Sequence, residues 1–210
     1  MARGRPDAGA PAIAHLTAAE RPPLLLASSS PRRRDLLAQI GLTPGRILSP
    51  DIDESPQRGE LPRPYAERMA REKALAVPRG DGEVVLAGDT TVAAGRRILP
   101  QAESADDVRR FLALLSGRRH RVFSAVAVID AEGTLRQKIS ESVVAFRRLH
   151  ADDLAAYAAC GEGLGKAGGY AIQGRAAAFT RFVSGSYSGI VGLPLYETAT
   201  LLAAAGIAAD

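Results

Sequence analysis

The sequence predicts a mixed α/β protein, and three observations support that prediction. Short apolar runs of strand length recur along the chain, segments with apolar residues at helical spacing lie between them, and glycine, proline and serine separate the two kinds. The chain has 210 residues, of which 46% are hydrophobic, and this is enough for one large domain or for one domain with two lobes. We find no internal repeat.

The first elements are readable from their boundaries. Residues 1–22 mix Arg, Ala, Gly and Pro without apolar periodicity, so we expect a flexible arm followed by one folded domain over residues 23–210. The apolar run over residues 24–27 predicts the first strand. A helix should follow, because Ser30 can cap it with its hydroxyl and Pro31 suits its first position.

The middle of the chain alternates in the same way. Residues 46–56 ("RILSPDIDESP") predict a short strand that runs into an acidic turn, and residues 64–77 ("PYAERMAREKALAV") predict a helix. Residues 83–95 ("EVVLAGDTTVAAG") predict a buried strand, a pivot at Gly88 and a second strand. The segment over residues 104–117 ("SADDVRRFLALLSG") predicts a serine-capped helix with an apolar inner face.

The remaining elements complete the alternation. Two alternating stretches, "HRVFSAVAVID" and "ESVVAFRRL", predict a strand pair, antiparallel through the turn at residues 132–133. Residues 152–159 predict a helix, and residues 161–174 a glycine-rich loop with a short strand. The segment "GLPLYETATLLAAAGI" predicts the closing helix.

Composition narrows the class of partner. The net charge is +4, and the 27 basic residues are interleaved with 23 acidic ones. With five Phe, five Tyr and no Trp, the chain lacks the basic and aromatic sets that stack on nucleic acid bases, so a small anionic ligand fits better. No apolar stretch approaches the roughly 18 residues of a membrane span, and no segment has the layout of a secretory signal. We therefore expect a cytoplasmic protein without a membrane or nucleic-acid partner.

Cysteine and histidine give no metal motif. The single cysteine, Cys160, leaves no partner for an internal disulfide or a cysteine-cluster metal site. His120 and His150 are isolated in the sequence, which predicts a structural role for each.

The stretch "SSSPRRR" at residues 28–34 places three arginines at the start of the first predicted helix. A cation there opposes the helix dipole and loses about 0.3–1 kcal/mol. Serine hydroxyls, free backbone N–H groups and guanidinium forks all match phosphate oxygens. The stretch therefore predicts either a bound polyanion or a solvated basic face, and at this point both interpretations stay open.

Three further charged residues are candidates for chemistry. Asp89 follows the buried run "EVVLAG", which would place a carboxylate at the carboxyl end of a strand, where open α/β sheets bind ligands. The alternative is a turn aspartate that caps Thr90 or Thr91. Glu54 is a second acid near a strand end, with two neighbouring aspartates of "DIDES" as competitors. Lys73 is the only lysine in the first half of the chain, and either binds phosphate or is simply solvated.

The glycine-rich stretch "GEGLGKAGG" superficially matches a phosphate loop. The motif fails, because Cys160 stands in place of the first glycine and Ala167 follows Lys166 where Ser or Thr should hold magnesium.

Taken together, the segments resemble the Maf family of septum-formation-associated nucleoside triphosphate pyrophosphatases. The matching segments occur in the family's order from about residue 23 onward: "LASSSPRRRDLL", "DIDES", "REKA", "LAGDTTV", "LSGRRHRV", "GKAGGYAIQG" and "GSYSGIVGLPLYET". The resemblance implies an elongated mixed sheet in two lobes with a central cleft, similar to the inosine triphosphatases, and a possible homodimer.

The resemblance also implies hydrolysis of a nucleoside triphosphate between the α and β phosphates, with Mg²⁺ or Mn²⁺ as cofactor. By position, Ser28, Arg32 and Arg33 would hold the phosphates. Glu54 and Asp89 would hold the metal.

Two roles follow for the remaining matched positions. Asp89 matches the family's catalytic carboxylate, and Lys73 would take up charge that develops on the leaving pyrophosphate. The form "KAGGYAIQG" resembles the branch that acts on dTTP and UTP, in which Thr90 and Gln173 would help to select the pyrimidine.

One position departs from the family's pattern. Gln101 stands where the family usually has a lysine, and its neutral side chain should weaken phosphate stabilisation unless Arg96 or Arg97 compensates. This departure favours an alternative function, a nucleotide-sensing regulator of septum formation and cell division that binds without turnover.

Overall fold

A seven-stranded mixed sheet organises the computed structural model, which describes residues 21–208. Residues 1–20 of the expected arm lie outside the described residues, so the arm stays a prediction. The strands are β1 (Leu24–Ala27), β2 (Arg46–Leu48), β3 (Val84–Ala94), β4 (Arg97–Leu99), β5 (Arg119–Ile129), β6 (Leu135–Phe146) and β7 (Thr180–Ser184). The helices are α1 (Pro31–Gln39), α2 (Pro62–Leu75), α3 (Ala105–Leu115), α4 (Ala151–Ala159), α5 (Tyr187–Val191) and α6 (Leu195–Ala204), with a short 3₁₀ helix at Arg175–Phe179.

The strand order confirms the predicted mixed α/β class. The sheet runs β2-β1-β3-β5-β6-β7, with β4 paired to part of β3. β1 is parallel to both β2 and β3, and all other pairs are antiparallel. The predicted hairpin of β5 and β6 is confirmed, although β6 begins at Leu135 rather than at Glu141.

The prediction of two strands around a pivot at Gly88 is wrong. β3 is one continuous strand, in which Gly88 pairs with Val126 and Asp89 with Ala125 of β5. On its other edge, β3 pairs with β1 over residues 84–87 and with β4 over residues 92–94. Asp89 therefore lies in the middle of a strand, in the gap where β1 has ended and β4 has not yet begun.

Side chains of β1, β3 and β5 alternate between two cores. Leu24 and Leu26 of β1 pack with α1 and α6 on one face, while Leu25 and Ala27 pack with α2 on the other. A third core joins α3 and α4 to parts of β3, β5 and β6. It contains the apolar inner face expected for α3, formed by Val108, Phe111, Leu112 and Leu115. The third core forms a second lobe, consistent with the expected two lobes.

Serine caps were predicted for α1 and α3, and only the cap of α3 is confirmed. Ser104 caps α3 through a reciprocal capping box with Asp107, as the sequence predicts. Ser30 occupies the N-cap position of α1, but its hydroxyl makes no capping hydrogen bond, so that prediction is wrong. Instead, the Ser30 N–H donates to the Ser28 hydroxyl over 3.2 Å.

The glycine-rich loop lacks the expected strand. Residues 161–174 form turns, with two isolated bridges that pair Gln101 with Ala167 and Ala102 with Leu164. The short helix α5, absent from the sequence prediction, precedes the confirmed closing helix α6. None of the helices over residues 21–208 is long and apolar enough to cross a membrane.

Candidate active site

A cavity of about 300 Å³ opens where β1 ends beside the middle of β3. Its wall contains residues from the β1–α1 turn, α2, β3, the glycine-rich loop and the end of α5. Every residue to which the family resemblance assigns a role lines this cavity: Ser28, Arg32, Arg33, Glu54, Lys73, Asp89, Thr90 and Gln173. Segments that are more than 140 residues apart in the chain thus meet at one place.

The two cavity arginines are anchored by main-chain carbonyls at the end of α5. Arg32 Nε donates to the Val191 carbonyl over 3.2 Å, and Arg33 Nε donates to the Gly192 carbonyl over 2.9 Å. Arg33 also donates from Nη1 to the buried Ser28 hydroxyl over 2.9 Å. Among the described residues, both terminal nitrogens of Arg32 and one of Arg33 have no hydrogen-bond partner, so these N–H groups are available to a ligand.

The segment at residues 28–34, called the arginine turn below, places two cations where they lose electrostatic free energy. Burial lowers the pKa of both Arg32 and Arg33. For Arg33 the charge of Asp89 acts in the opposite direction, and the charge of Arg32 adds to the lowering. The two guanidinium groups also lie at the N-terminal end of α1, where the helix dipole favours an anion. A polyanion in the cavity would offset both costs, which favours the anion-binding interpretation over the solvated face.

Lys73 joins the two acids of the site. Its ammonium group lies 2.8 Å from Glu54 Oε2 and 2.9 Å from Asp89 Oδ1. Lys73 and Asp89 are each only 6% exposed, whereas Glu54 is exposed. The second oxygen of Asp89 accepts a hydrogen bond of 2.8 Å from the Thr91 hydroxyl. The carboxylate of Asp89 is therefore held in one orientation from both sides.

The loop that carries Glu54 is fastened to α2. The Tyr65 hydroxyl donates to the Glu54 carbonyl over 2.8 Å, and Arg68 donates to the Ser55 carbonyl over 3.1 Å. Burial and the nearby charges of Asp89 and Glu54 raise the pKa of Tyr65, so it remains a neutral donor. These bonds position Glu54 although its side chain reaches solvent.

A second cavity of about 540 Å³ adjoins the first. It shares Glu54, Asp89, Thr90 and Gln101 with the first cavity, so Asp89 can be reached from both. The two cavities together form the cleft expected between the lobes.

Thr90 and Gln173 occupy different parts of the wall. The Thr90 hydroxyl donates to the Gly192 carbonyl over 3.3 Å, beside the anchor of Arg33. Gln173 is exposed, and its amide has no hydrogen-bond partner among the described residues. The loop around it is held by Glu162, whose carboxylate accepts from the Arg175 N–H over 2.9 Å.

The expected compensation for Gln101 is wrong in its choice of residue. Arg96 and Arg97 are exposed at the β3–β4 turn and do not line either cavity, because β3 continues past the site before it turns. Gln101 does line both cavities. A different cation, Lys166 of the glycine-rich loop, lines the first cavity with it.

Sequence reasoning missed two kinds of group at the site. The carbonyls of Val191 and Gly192, which orient the arginines, carry no side-chain signal. Lys166 lies in a loop that fails the phosphate-loop pattern, although its position in a glycine-rich segment of a chain with three lysines was a usable signal.

Anchored guanidinium groups and a fixed carboxylate line one cavity, an arrangement that favours a phosphorylated ligand. Comparison with known proteins agrees with this class. The profile of the family described as Maf-like protein matches residues 23–205, and the chain belongs to the Maf family.

Curated relatives cover nearly the whole domain. A dTTP/UTP pyrophosphatase of Sphingopyxis alaskensis is 60% identical over 186 residues, covering 89% of this chain and 98% of that protein. A dTTP/UTP pyrophosphatase of Novosphingobium aromaticivorans is 58% identical over 190 residues, covering 90% of this chain and 94% of that protein. Among solved structures, a dITP/XTP pyrophosphatase of Mycobacterium abscessus has 22% sequence identity and a TM-score of 0.38, covering 61% of this chain and 74% of that one.

Proposed function

We propose that this chain is a nucleoside triphosphate pyrophosphatase that hydrolyses dTTP and UTP to the monophosphate and pyrophosphate. The observation that carries the proposal is the cavity in which the guanidinium groups of Arg32 and Arg33 share a wall with the Lys73–Asp89 pair. The names of relatives at 58–60% identity support the same activity and the same two substrates.

The arginine turn would bind the triphosphate. Arg32 and Arg33 offer N–H groups that no described residue uses, and the Ser28 hydroxyl fixes the plane of the Arg33 guanidinium. Cleavage of a phosphoanhydride depends mainly on positioning and on neutralising charge, because the transition state spreads negative charge over the phosphate oxygens. Guanidinium groups that are anchored before the substrate arrives supply both.

Asp89 would act on the attacking water. Each carboxylate oxygen has two lone-pair sites, and one on each is used by Lys73 and Thr91, so each oxygen keeps one that can accept a proton from water. Lys73 would hold Asp89 in place and take up charge on the leaving pyrophosphate.

The donors fit a divalent cation. Glu54 and Asp89 direct carboxylates into the same cavity as the arginine turn, and Mg²⁺ or Mn²⁺ at nucleotide sites takes one or two carboxylates with phosphate oxygens completing the shell. Among residues 21–208 no group of three or more His, Cys, Asp or Glu forms a complete metal site, so the nucleotide would have to contribute ligands. The bound ion would supply Lewis-acid catalysis and charge neutralisation on the phosphates.

Base selection would fall to Thr90 and Gln173. The Gln173 amide both donates and accepts, as recognition of a pyrimidine edge requires, and it reaches the cavity without a competing partner among the described residues. Modified pyrimidine triphosphates are the alternative substrates for this cavity.

A pyrophosphate-release assay tests the proposal. Purified protein with Mg²⁺ or Mn²⁺ is offered dTTP, UTP, modified pyrimidine triphosphates and the common purine triphosphates. We expect release from dTTP and UTP, with Asp89→Asn lowering kcat by about 10²–10⁴-fold because the general base is lost. Asp106→Asn, at an exposed aspartate of α3, is the matched control and should leave turnover unchanged. Unchanged turnover in folded Asp89→Asn would remove this residue from the mechanism.

The nucleotide-sensing alternative rests on Gln101, a neutral group where the family usually carries a cation, which lines both cavities. It would be supported if dTTP binds tightly and neither the wild type nor Gln101→Lys releases pyrophosphate. The expected cytoplasmic location and homodimer stay predictions, and light scattering coupled to gel filtration tests the second.

A further inference from the structure

Lys166 lies in the cavity wall but has no part in the chemistry described above. It belongs to the glycine-rich loop, yet it lines the same cavity as Arg32, Arg33 and Asp89. Its side chain is half-buried. The sequence contains three lysines, and two of them, Lys73 and Lys166, line this cavity.

The main chain of Lys166 is held in place. Its carbonyl accepts hydrogen bonds from the Ala102 N–H over 3.1 Å and from the Gly169 N–H over 2.9 Å. On either side, Gly165 donates to the Ala102 carbonyl over 2.9 Å and Gly168 to the Pro100 carbonyl over 3.1 Å. The loop is thus fastened to the segment that follows β4, so the side chain projects from a defined point of the wall.

The ammonium group has capacity for an anion. It donates one hydrogen bond, to the Leu164 carbonyl over 3.3 Å, and an ammonium group has three donors. Lys166 forms no ion pair with any residue in the described part of the chain. Burial lowers its pKa first, the charge of Arg32 lowers it further, and the charge of Glu162 acts in the opposite direction, so Lys166 and Arg32 lie within electrostatic reach of each other. Two cations that approach each other are stabilised by a shared anion.

We propose that Lys166 is a further substrate-binding residue, whose ammonium group binds phosphate oxygens of the polyphosphate tail together with Arg32. The inference rests on the proposed pyrophosphatase function and adds a residue to it. Lys166 supplies a positive charge next to neutral Gln101, with which its neighbour Ala167 is paired.

Calorimetric binding of inorganic tripolyphosphate tests this independently of turnover. Lys166→Met should weaken tripolyphosphate binding about 10- to 100-fold, the effect expected for a charge-assisted hydrogen bond, and should reduce its dependence on salt. Lys166→Arg, which keeps the charge, should recover most of the affinity. Lys138→Met, on β6 and outside both cavities, is the matched control and should bind like the wild type.

Kinetics then separate the two proposals. If the wild type releases pyrophosphate from dTTP, the proposed function holds, and Lys166→Met should raise KM. Wild-type affinity and KM in Lys166→Met, with circular dichroism showing it folded, would overturn the assignment of Lys166 alone. Equal weakening in Lys166→Arg and Lys166→Met would also overturn it, because a charge role requires the arginine to substitute.

Discussion

Arg33 shows how one side chain at this site is prepared before a ligand arrives. Its Nε donates to the Gly192 carbonyl and its Nη1 to the Ser28 hydroxyl, which leaves Nη2 without a partner among the described residues. A lysine has the same charge but cannot hold two separate anchors in a plane and still present N–H groups to a phosphate. The proposed role of this position therefore depends on shape as much as on charge.

We expect Arg33→Lys to lower kcat/KM for dTTP by about 30- to 100-fold, since about 2–3 kcal/mol of oriented, charge-assisted bonding is lost. Steady-state pyrophosphate release measures this. Arg34→Lys is the control, because Arg34 is exposed on the same helical turn and does not line the cavity. If both variants retain wild-type kcat/KM, the arginine turn does not hold the substrate.

At the scale of elements, the glycine-rich loop depends on two backbone positions with different surroundings. Gly165 and Gly168 both have positive φ, +64° and +68°. A Cβ on Gly165 would meet no atom within 4 Å, whereas one on Gly168 would lie 2.7 Å from the Val92 side chain. Gly168 thus lets the loop lie directly on β3, which keeps Lys166 and Gln173 at the cavity.

We expect Gly168→Ala to lower the free energy of unfolding by about 2–4 kcal/mol, the sum of left-handed backbone strain and overpacking against Val92. Gly165→Ala should lower the free energy of unfolding by only about 1–2 kcal/mol, because left-handed backbone strain is its only cost. Urea unfolding of both variants gives the comparison. Equal costs would mean that the contact with Val92 does not hold the loop.

Some of the helices and strands could be predicted from the sequence, and others could not. The order of most strands and helices, the capping box of α3 and the inward face of α3 follow from local patterns and were predictable, whereas β7 and α5 were not. The course of β3 through Asp89 was not, because glycine suggests a break locally, while the pairing of Gly88 with β5 that keeps the strand straight is a long-range contact.

The sequence identified residues that line the candidate site, but not the contacts that hold them there. Ser28, Lys73 and Asp89 were identifiable from motifs, and the cavity contains all of them. The link from Lys73 to two carboxylates, and the carbonyl anchors of the arginines, join residues up to 159 positions apart and leave no trace in composition or spacing.

At the scale of the whole molecule, the second lobe contains a buried histidine next to the site. His120 is 2% exposed, and its Nε2 lies 2.8 Å from the hydroxyl of Tyr170, a residue of the cavity wall. Phe146 packs edge-on against both rings. Burial lowers the pKa of His120 to about 4, so the ring is neutral at neutral pH.

The buried histidine predicts a loss of stability in mild acid. As the pH falls below about 6.5, the unfolded chain binds a proton at His120 that the folded chain refuses until about pH 4. The free energy of unfolding should therefore fall by about 2 kcal/mol between pH 7 and pH 5. Aspartates with lowered pKa, such as Asp130 and Asp153, act only at lower pH, near and below their ordinary pKa of about 4.

Urea unfolding at pH 7 and pH 5 measures this loss. His120→Gln keeps a group that can bond to the Tyr170 hydroxyl but cannot titrate, so its stability should change much less over the same interval. The same loss in the variant would show that another group is responsible.

The central claim is that the triphosphate lies between the arginine turn and Asp89. A crystal structure of Asp89→Asn with dTTP tests it most directly, because the variant should bind the nucleotide without consuming it. The account predicts phosphate oxygens within hydrogen-bond distance of Arg32 and Arg33, with the α phosphate next to residue 89. A polyphosphate tail that lies outside this cavity, away from both arginines, would contradict it.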